Sequence, residues 1–304
     1  MRAIDIAGLL VLGALWGGSF LFMRIASPAL NALPVADVRV ILGGGLLLLV
    51  AARRGVPMRL RERWRPYLLL GTIGTAVPFA LISAAAIHLP ASVASVLIAT
   101  TPIFAALVGW VWLREPLSPR QLIGTVTGFA GVIMLVGWTP LTIDVGVVLS
   151  ILAVAGAALC YGFTTHYSAR LLRRTPGGMA IPVMQQLVAG AVLLPFALVT
   201  LPTEPPTLPP VLSLVALGLF STGLAYLLFF RLMGRIGAFR ANIATYLTPA
   251  FGVLWGALLL GEPLAVGTFV GFAVVLISAL LMGGVRLSPA RRSVSGGVER
   301  EPAG

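Results

Sequence analysis

The segment TPIFAALVGWVWLREPL at residues 101–117 resembles a second segment, TPAFGVLWGALLLGEPL at residues 248–264, at an offset of 147 positions (249 − 102). The two segments share a Thr-Pro pair, a phenylalanine, a glycine and a closing Glu-Pro-Leu at identical spacing. The same offset carries Gly71 onto Gly218 and Gly124 onto Gly271 without a gap, and ALWGG at residues 14–18 weakly matches ALCYG at residues 158–162. Rare residue types at fixed spacing indicate an internal duplication.

The composition around this repeat is that of a membrane protein. Of the 304 residues, 59% are hydrophobic and only 10% are charged, whereas soluble domains are about half apolar and a quarter charged. A single cysteine, Cys160, excludes an intrachain disulfide, and His88 and His166 are too few for a common zinc-enzyme site. The net charge of +12 comes from arginines that lie between long apolar runs. We therefore expect no metal, no cofactor and no nucleic-acid partner.

Ten apolar stretches are long enough to cross a bilayer, since a membrane helix needs about 20 mostly apolar residues. They cover residues 3–26, 35–52, 66–88, 91–112, 119–136, 145–168, 178–201, 211–232, 238–260 and 266–285. The sequence thus predicts an all-α polytopic membrane protein with ten transmembrane helices.

Arginine divides the connections between these spans into two alternating sets. The arginine-bearing connections lie around residues 53–65, 114–120, 170–174 and 231–240, and both chain ends also carry arginine. The other connections, SPALNALP, HLPA, GWTPLTID, LPTEPPTLPP and GEPLA, contain none. Because cytoplasmic loops are enriched in basic residues, both termini are predicted to be cytoplasmic, which requires an even number of spans. Residues 286–304 are polar and are expected to form a disordered cytoplasmic tail.

Each copy of the repeat contains five spans, in residues 1–137 and residues 144–285. Because five is odd, the second copy enters the membrane from the opposite side. The sequence therefore predicts a 5+5 inverted-topology repeat with a pseudo-two-fold axis in the membrane plane. Secondary transporters are commonly built this way, with the substrate site near the midplane between the halves.

With ten spans in two halves, a Trp-Gly-Gly in span one and paired T-P-x-F…E-P-L elements, the chain resembles the EamA family of the drug/metabolite transporter superfamily. The resemblance covers residues 3–285. It implies a carrier of the bacterial inner membrane that moves small metabolites, often amino acids and usually outward, by alternating access. Within the family, a YddG-type amino-acid exporter is our expectation.

Polar and aromatic side chains share helical faces in several spans. In hydrocarbon such groups are costly unless they face a cavity or a partner. The candidate substrate-binding residues are Trp16, Ser19, Thr75, Phe79, Tyr161, Thr165, Gln185, Tyr226, Asn242 and Tyr246. A common cavity, surrounded by spans one, three, four, six, eight and nine, is what the family resemblance implies. The alternative is that the hydroxyls bond carbonyls of their own helix and the rings simply pack.

Three prolines interrupt the spans. Pro102 and Pro249 lie at the same depth in the two halves, and Pro78 lies in span three. Each frees a carbonyl and bends its helix. They are either static kinks or hinges, and we favour hinges because alternating access needs a bend in each half.

Charged side chains cluster near span ends. Glu115 and Glu262 each follow a span and precede a proline, so we interpret them as carboxylates facing the positive N-terminal ends of spans five and ten, not as proton carriers. Arg24, Asp37 and Arg39 lie near the ends of spans one and two. They could form an external gate or an ion pair, but snorkelling to the interface is the favoured interpretation.

Span five contains a small-residue pattern, Gly124-x-x-x-Gly128, that allows close helix contact. The contact is either with a neighbouring span or with a second protomer of a homodimer. We favour the neighbouring span and a monomer.

Several absences restrict the function. No span has Asp or Glu near its centre, and no P-loop, HExxH motif or Ser/His/Asp set is present. These absences argue against proton-coupled small-multidrug carriers, ATP drive from this chain and enzymes. The favoured hypothesis is an exporter or facilitator of zwitterionic amino acids. The alternative is an exporter of drugs or organic cations held on aromatic faces, and a membrane enzyme or structural subunit comes third.

Overall fold

The structure, a computed structural model, describes residues 2–139, 141–174 and 178–282. Within these ranges all regular secondary structure is helical, which confirms the predicted all-α class. The predicted tail (residues 286–304) and the last three residues of span ten lie outside the described residues.

The two halves contain the same order of elements. The first half comprises α1 (Ala3–Leu30), α2 (Ala32–Arg53), α3 (Leu60–Gly71), a first π segment (Thr72–Ala76), α4 (Val77–Ala85), α5 (Ala91–Ile98), α6 (Thr101–Leu113) and α7 (Pro119–Trp138). The second comprises α8 (Val145–Arg174), α9 (Ala180–Val199), α10 (Leu208–Gly218), a second π segment (Leu219–Leu224), α11 (Ala225–Ile236), α12 (Ala238–Ala241), α13 (Ile243–Leu260) and α14 (Val266–Met282). The correspondence extends to the two π segments.

The described residues hold nine helical segments long and apolar enough to cross a membrane, and a shorter apolar helix at the position of the tenth predicted span. Large apolar side chains are exposed on the outside of the bundle: Val111 is 72% exposed and Ile133 is 71% exposed. Exposure of this kind suits a surface that contacts lipid, where burial of apolar groups against protein is not required. The prediction of a polytopic membrane protein is confirmed.

Span four is broken where the sequence predicts a bend. α5 ends at Ile98 and α6 begins at Thr101, so Pro102 lies in the first turn of a new helix. Proline is tolerated there because the amide hydrogens of a first helical turn have no partner within the helix. The Ile98 carbonyl, which Pro102 cannot bond, accepts a hydrogen bond from Thr101 Oγ1 at 2.7 Å. Pro249, in contrast, lies inside the continuous helix α13.

Glycines bring helices of the two halves to backbone contact. A Cβ added at Gly17 of α1 would lie 2.6 Å from Phe251 Cβ and 2.8 Å from the Thr248 carbonyl oxygen on α13. A Cβ added at Gly162 of α8 would lie 2.7 Å from the backbone nitrogen of Ala105 on α6. Only glycine permits such separations, so these two crossings depend on it.

The glycine pattern in α7 is covered within the chain. Ser278 Oγ on α14 donates a hydrogen bond to the Gly124 carbonyl at 2.6 Å. A Cβ at Gly128 would overlap Ile103 of α6. Of the two alternatives drawn from the sequence, the structure has the contact with neighbouring spans.

Contacts between connections join members of the same arginine set. Arg235 Nη2 lies 3.0 Å from Asp5 Oδ1, and both residues adjoin arginine-bearing segments. Asn31 Nδ2 donates to the Thr200 carbonyl at 2.9 Å, and both belong to arginine-free connections. Helices that cross the bilayer alternately require this pairing of loops.

Candidate functional site

A buried arginine joins the two halves in the interior. Arg39 of α2 is only 6% exposed. Its Nε donates a hydrogen bond to Thr222 Oγ1 at 2.9 Å, and its Nη1 lies 3.6 Å from Met23 Sδ. The guanidinium carbon lies 3.8 Å from the centroid of the Phe79 ring, a cation–π contact. The expectation that Arg39 snorkels to the interface is therefore wrong.

The neighbouring charges face elsewhere. Residues 37 and 39 are about 200° apart on a helix, and Asp37 accordingly faces Gly190 of α9. Arg24 Nη1 donates to the Ala86 carbonyl at 3.0 Å and also to that of Ile87, at the C-terminal end of α4. The described residues contain no ion pair between Asp37 and either arginine.

The two π segments each contribute a threonine at matching positions of the repeat. Thr75 and Thr222 are 147 positions apart, and both are fully buried. Thr222 Oγ1 accepts from Arg39 and lies 3.0 Å from the Leu217 carbonyl, to which it donates. Thr75 Oγ1 accepts from Gln185 Nε2 at 2.7 Å. Each threonine therefore binds a long side chain from the other half, and π-helical turns are frequent at functional sites.

Pro78 explains part of this arrangement. It follows the first π segment and cannot donate to the carbonyl four residues earlier, at Gly74. Gln185 Nε2 lies 3.4 Å from that carbonyl and supplies the missing donor. The adjacent Gln186 packs against Gly44 of α2, is 1% exposed, and has no partner for its amide among the described residues. Of the two glutamines, Gln185 is the one that joins the polar group.

Aromatic side chains surround the same region. Tyr161 packs against the cluster that contains Phe79, the ring on which Arg39 lies. The ring of Tyr226 lies beside that of Phe230, with 6.5 Å between their centroids. Trp16 belongs to a separate cluster, with its ring centroid 5.5 Å from that of Phe229.

The predicted substrate-binding residues fall into two groups. Four of them lie around Arg39 and the π-segment threonines: Thr75, Phe79, Tyr161 and Gln185. The other six are Trp16 in its own cluster, Tyr226 beside Phe230, the buried Ser19, the half-buried Tyr246, and the exposed Thr165 and Asn242. Thr165 Oγ1 donates to the Tyr161 carbonyl at 2.7 Å, which is the alternative anticipated for hydroxyls.

Arg39 is the residue that the sequence interpretation assigned to the interface and the structure places in the interior. The available signal was an arginine in the first turns of span two, two positions from an acidic residue. Because such residues in spans usually face the bundle interior, that position alone could have marked it.

A carboxylate joins the two halves at the end of the bundle where the arginine-free connections lie. Glu262 Oε1 accepts from the Ala91 backbone at 2.7 Å, and Oε2 accepts from the Ser92 backbone at 3.0 Å and from Ser92 Oγ at 2.6 Å. These groups form the N-terminal end of α5, where a carboxylate is stabilised by unpaired amides. The prediction that Glu262 faces the N-terminal end of span ten is wrong. Its carboxylate caps α5, a helix of the other half.

The equivalent glutamate in the first half has the same local turn. Glu115 N donates to the Gly109 carbonyl, and Glu262 N donates to that of Gly256. The Glu115 carboxylate accepts no hydrogen bond from the described residues. α5 packs against α13, whereas its counterpart α12 packs chiefly on its chain neighbours α11 and α13. The two ends of the bundle thus differ although the two halves match.

A crevice of about 430 Å³ opens beside the contact between Glu262 and α5. Its lining includes Arg24, Pro28, Ile87, Pro90, Leu260 and Glu262. Among the described residues, no group of three His, Cys, Asp or Glu could hold a metal ion.

Known proteins resemble this chain over nearly its whole length. The EamA-like transporter family matches residues 4–137 and again residues 148–284. The chain is 26% identical to "Uncharacterized transporter YvbV" of Bacillus subtilis (strain 168), covering 95% of this chain and 94% of that protein. It is 27% identical to "Uncharacterized inner membrane transporter YedA" of Escherichia coli (strain K12), covering 94% and 93%.

A solved crystal structure has the same fold. It superposes with a TM-score of 0.63 at 19% identity, covering 92% of this chain and 96% of that one. Since the family matches both halves, the chain belongs to the EamA-like transporter family, and it is a membrane transporter, not an enzyme.

Proposed function

We propose that this protein is a secondary transporter that moves amino acids across the bacterial inner membrane by alternating access, as an exporter or facilitator. The observation that carries the proposal is the polar group shared by both halves, in which Arg39 binds Thr222 and Gln185 binds Thr75. A site built from both halves changes its exposure when the halves move relative to each other. The relative YedA is named as an inner membrane transporter.

The proposed cycle is a rocking of two inverted five-span halves, residues 1–137 and residues 144–285, with both termini cytoplasmic. Pro78, Pro102 and Pro249 serve as the flexible points. The contact of Glu262 with the start of α5 closes the outer end, and its release opens that end. The functional unit is a monomer, because neighbouring spans cover the glycine face of α7.

Zwitterionic substrates suit the chemistry of the site. Hydroxyls, an amide and a carbonyl are available from Thr75, Gln185, Tyr161 and Gly74, and Arg39 provides one full positive charge. An amino acid presents a carboxylate, an ammonium and a side chain, which match a cation, neutral acceptors and aromatic rings.

Transport by the purified protein tests this function. Proteoliposomes containing the full chain would be given a panel of labelled amino acids, with and without a pH gradient. We expect uptake of at least one amino acid above that of empty vesicles, and a response to the gradient would reveal proton coupling. Rates equal to those of empty vesicles for the whole panel would refute the proposal.

Export of organic cations is the second candidate. It is favoured by the rings of Trp16, Phe229 and Tyr226, which could hold a cation on their faces. The buried charge of Arg39 opposes it, since like charges repel strongly in a medium of low dielectric constant. Increased tolerance of a panel of toxic cations in expressing cells would support this candidate, and unchanged sensitivity would exclude it.

A further inference from the structure

Arg39 carries a buried positive charge without a counter-ion in the described part of the chain. No carboxylate oxygen there lies within 4.0 Å of its guanidinium. Asp37, the nearest acid in sequence, faces α9. Removing one partner of a buried pair is strongly destabilising because it leaves such a charge uncompensated. A charge maintained in that condition indicates a partner that comes and goes.

One edge of the Arg39 guanidinium is hydrogen-bonded, and another has unused N–H donors. Of its five N–H donors, Nε is bonded to Thr222 Oγ1, and among the described residues the one further hydrogen-bond acceptor is the thioether of Met23, a weak one. The Phe79 ring fixes the plane of the group from one face. The remaining N–H groups of Nη1 and Nη2 therefore point in a defined direction and have no acceptor among the described residues. This is the fork that binds a carboxylate through two parallel hydrogen bonds.

The repeat shows that the packing itself does not need a charge here. The offset of 147 carries Arg39 onto Gln186 and its neighbour Val38 onto Gln185. In the second half the neutral Gln185 makes the bond to a π-segment threonine that Arg39 makes in the first. The threonine bond of the second half is thus made by a neutral side chain, and Gln186, at the position equivalent to Arg39, is neutral as well. Packing at this position of the repeat therefore does not require a cation.

We propose that the Nη1–Nη2 edge of Arg39 binds the carboxylate of the transported solute, beside the Phe79 ring. This inference rests on the proposed transport of amino acids and assigns the residue that recognises them. A carboxylate is the favoured anion because the site offers a single cation, which matches a single negative charge. The proposal makes the carboxylate obligatory and the ammonium secondary.

The test measures binding to the purified full chain in detergent by calorimetry. Three probes separate the two ends of an amino acid: L-phenylalanine, 3-phenylpropanoate, which lacks the amine, and phenethylamine, which lacks the carboxylate. We expect both carboxylates to bind and phenethylamine not to. Arg39→Gln should raise the Kd of both carboxylates by about 10- to 100-fold, the size expected for losing a charged hydrogen-bonded partner.

Thermal unfolding without ligand distinguishes recognition from a structural role. Arg39→Gln should be at least as stable as the wild type, because the uncompensated charge is gone and the equivalent position of the second half already holds the neutral Gln186. Arg24→Gln is the matched control and should lower Tm, because Arg24 bonds two helix-end carbonyls. Equal losses of Tm in both variants would show that Arg39 is structural.

Other outcomes decide between the two proposals. Binding of phenethylamine as tight as that of the carboxylates, an unchanged Kd in Arg39→Gln, or no binding of the probes and of all twenty amino acids would each overturn the role of Arg39. Binding in detergent without uptake into proteoliposomes would leave the Arg39 site standing and refute the transport function. Uptake of an amino acid at the same rate by the wild type and by Arg39→Gln would support the transport function and refute the role of Arg39.

Discussion

Gly17 sets the distance between α1 and α13. A methyl group there would press against the α13 backbone, because Thr248 O and Gly252 N both lie 2.8 Å from the position of its Cβ. Gly17→Ala should therefore destabilise the protein by about 1–3 kcal/mol, the usual effect of overpacking. Gly45→Ala is the control, since a Cβ at that exposed position meets no atom within 4 Å. Thermal unfolding in detergent compares them, and equal Tm values for the two variants would contradict this account.

Two tyrosines among the predicted substrate-binding residues should matter more for transport than the buried Ser95. Tyr161 packs against the cluster that contains Phe79, and Tyr246 lies half-buried on α13. Ser95 Oγ donates at 2.8 Å to the Ser92 carbonyl of its own turn and lies 3.5 Å from the Pro249 carbonyl, so its shorter hydrogen bond is local. We expect Tyr161→Ala and Tyr246→Ala to reduce transport about tenfold or more, roughly the loss of one good contact, and Ser95→Ala to have little effect. Wild-type rates in all three would show that these faces do not line the route.

At this scale the sequence predicts which residues share a helix face but not which way the face points. It places Tyr161 and Thr165 on one face by spacing, yet Thr165 is exposed and bonds its own helix. It places Arg39 near Asp37, yet the two buried side chains point apart: Arg39 binds Thr222, whereas Asp37 faces Gly190 of α9. Helical phase is a local property, whereas the identity of the neighbouring helix depends on contacts between residues far apart in the chain.

At the scale of elements, the Glu262 carboxylate links α5 to the second half. Its carboxylate accepts three hydrogen bonds from Ala91 and Ser92. Glu262→Ala should reduce stability by about 1–2 kcal/mol, the typical value of a lost helix cap. Glu115→Ala is the control, because Glu115 follows the same turn without such bonds among the described residues. A Tm for Glu115→Ala as low as that for Glu262→Ala would show that the cap is not what stabilises this end.

The broken span four illustrates a limit of element prediction. Its apolar length correctly predicts one crossing, since hydropathy is additive along the chain. The break at residues 99–100 is not visible in hydropathy, and Pro102 alone is compatible with a bend or with a new helix. The same ambiguity applies to Pro249, which the structure keeps within α13. Packing against the other half decides between a bend and a new helix. Glu262, which lies outside span four, contributes by accepting hydrogen bonds from the first residues of α5.

At the scale of the whole molecule, orientation can be tested because the chain contains one cysteine. In a Cys160→Ala background, Thr203→Cys and Gly234→Cys would place single thiols on exposed positions in an arginine-free and an arginine-bearing region. Thr203→Cys should react with a membrane-impermeant maleimide in intact cells. Gly234→Cys should react only after permeabilisation, because basic segments stay in the cytoplasm. The opposite labelling pattern would invert the predicted topology.

The overall architecture was predictable because its determinants repeat. Apolar length marks the spans, alternating arginine orders the loops, and residues 101–117 and 248–264 identify two copies. The family match to residues 4–137 and 148–284 follows the same division. The repeat does not predict where the two halves differ in structure, because duplicated sequence predicts only what the copies share. The differences lie at two pairs of equivalent positions, Arg39 with Gln186 and Glu115 with Glu262.

The buried charge of Arg39 also has an electrical consequence. In the proposed cycle the barrier moves from one side of the site to the other, so the charge of Arg39 crosses part of the membrane field. One elementary charge in 100 mV corresponds to about 2.3 kcal/mol. A carboxylate without an amine cancels this charge, so a carrier loaded with 3-phenylpropanoate should change state independently of voltage. A zwitterionic amino acid has no net charge and leaves the positive charge in place, so an inside-negative potential should hold the empty carrier facing inward and should slow the outward movement of L-phenylalanine more than that of 3-phenylpropanoate.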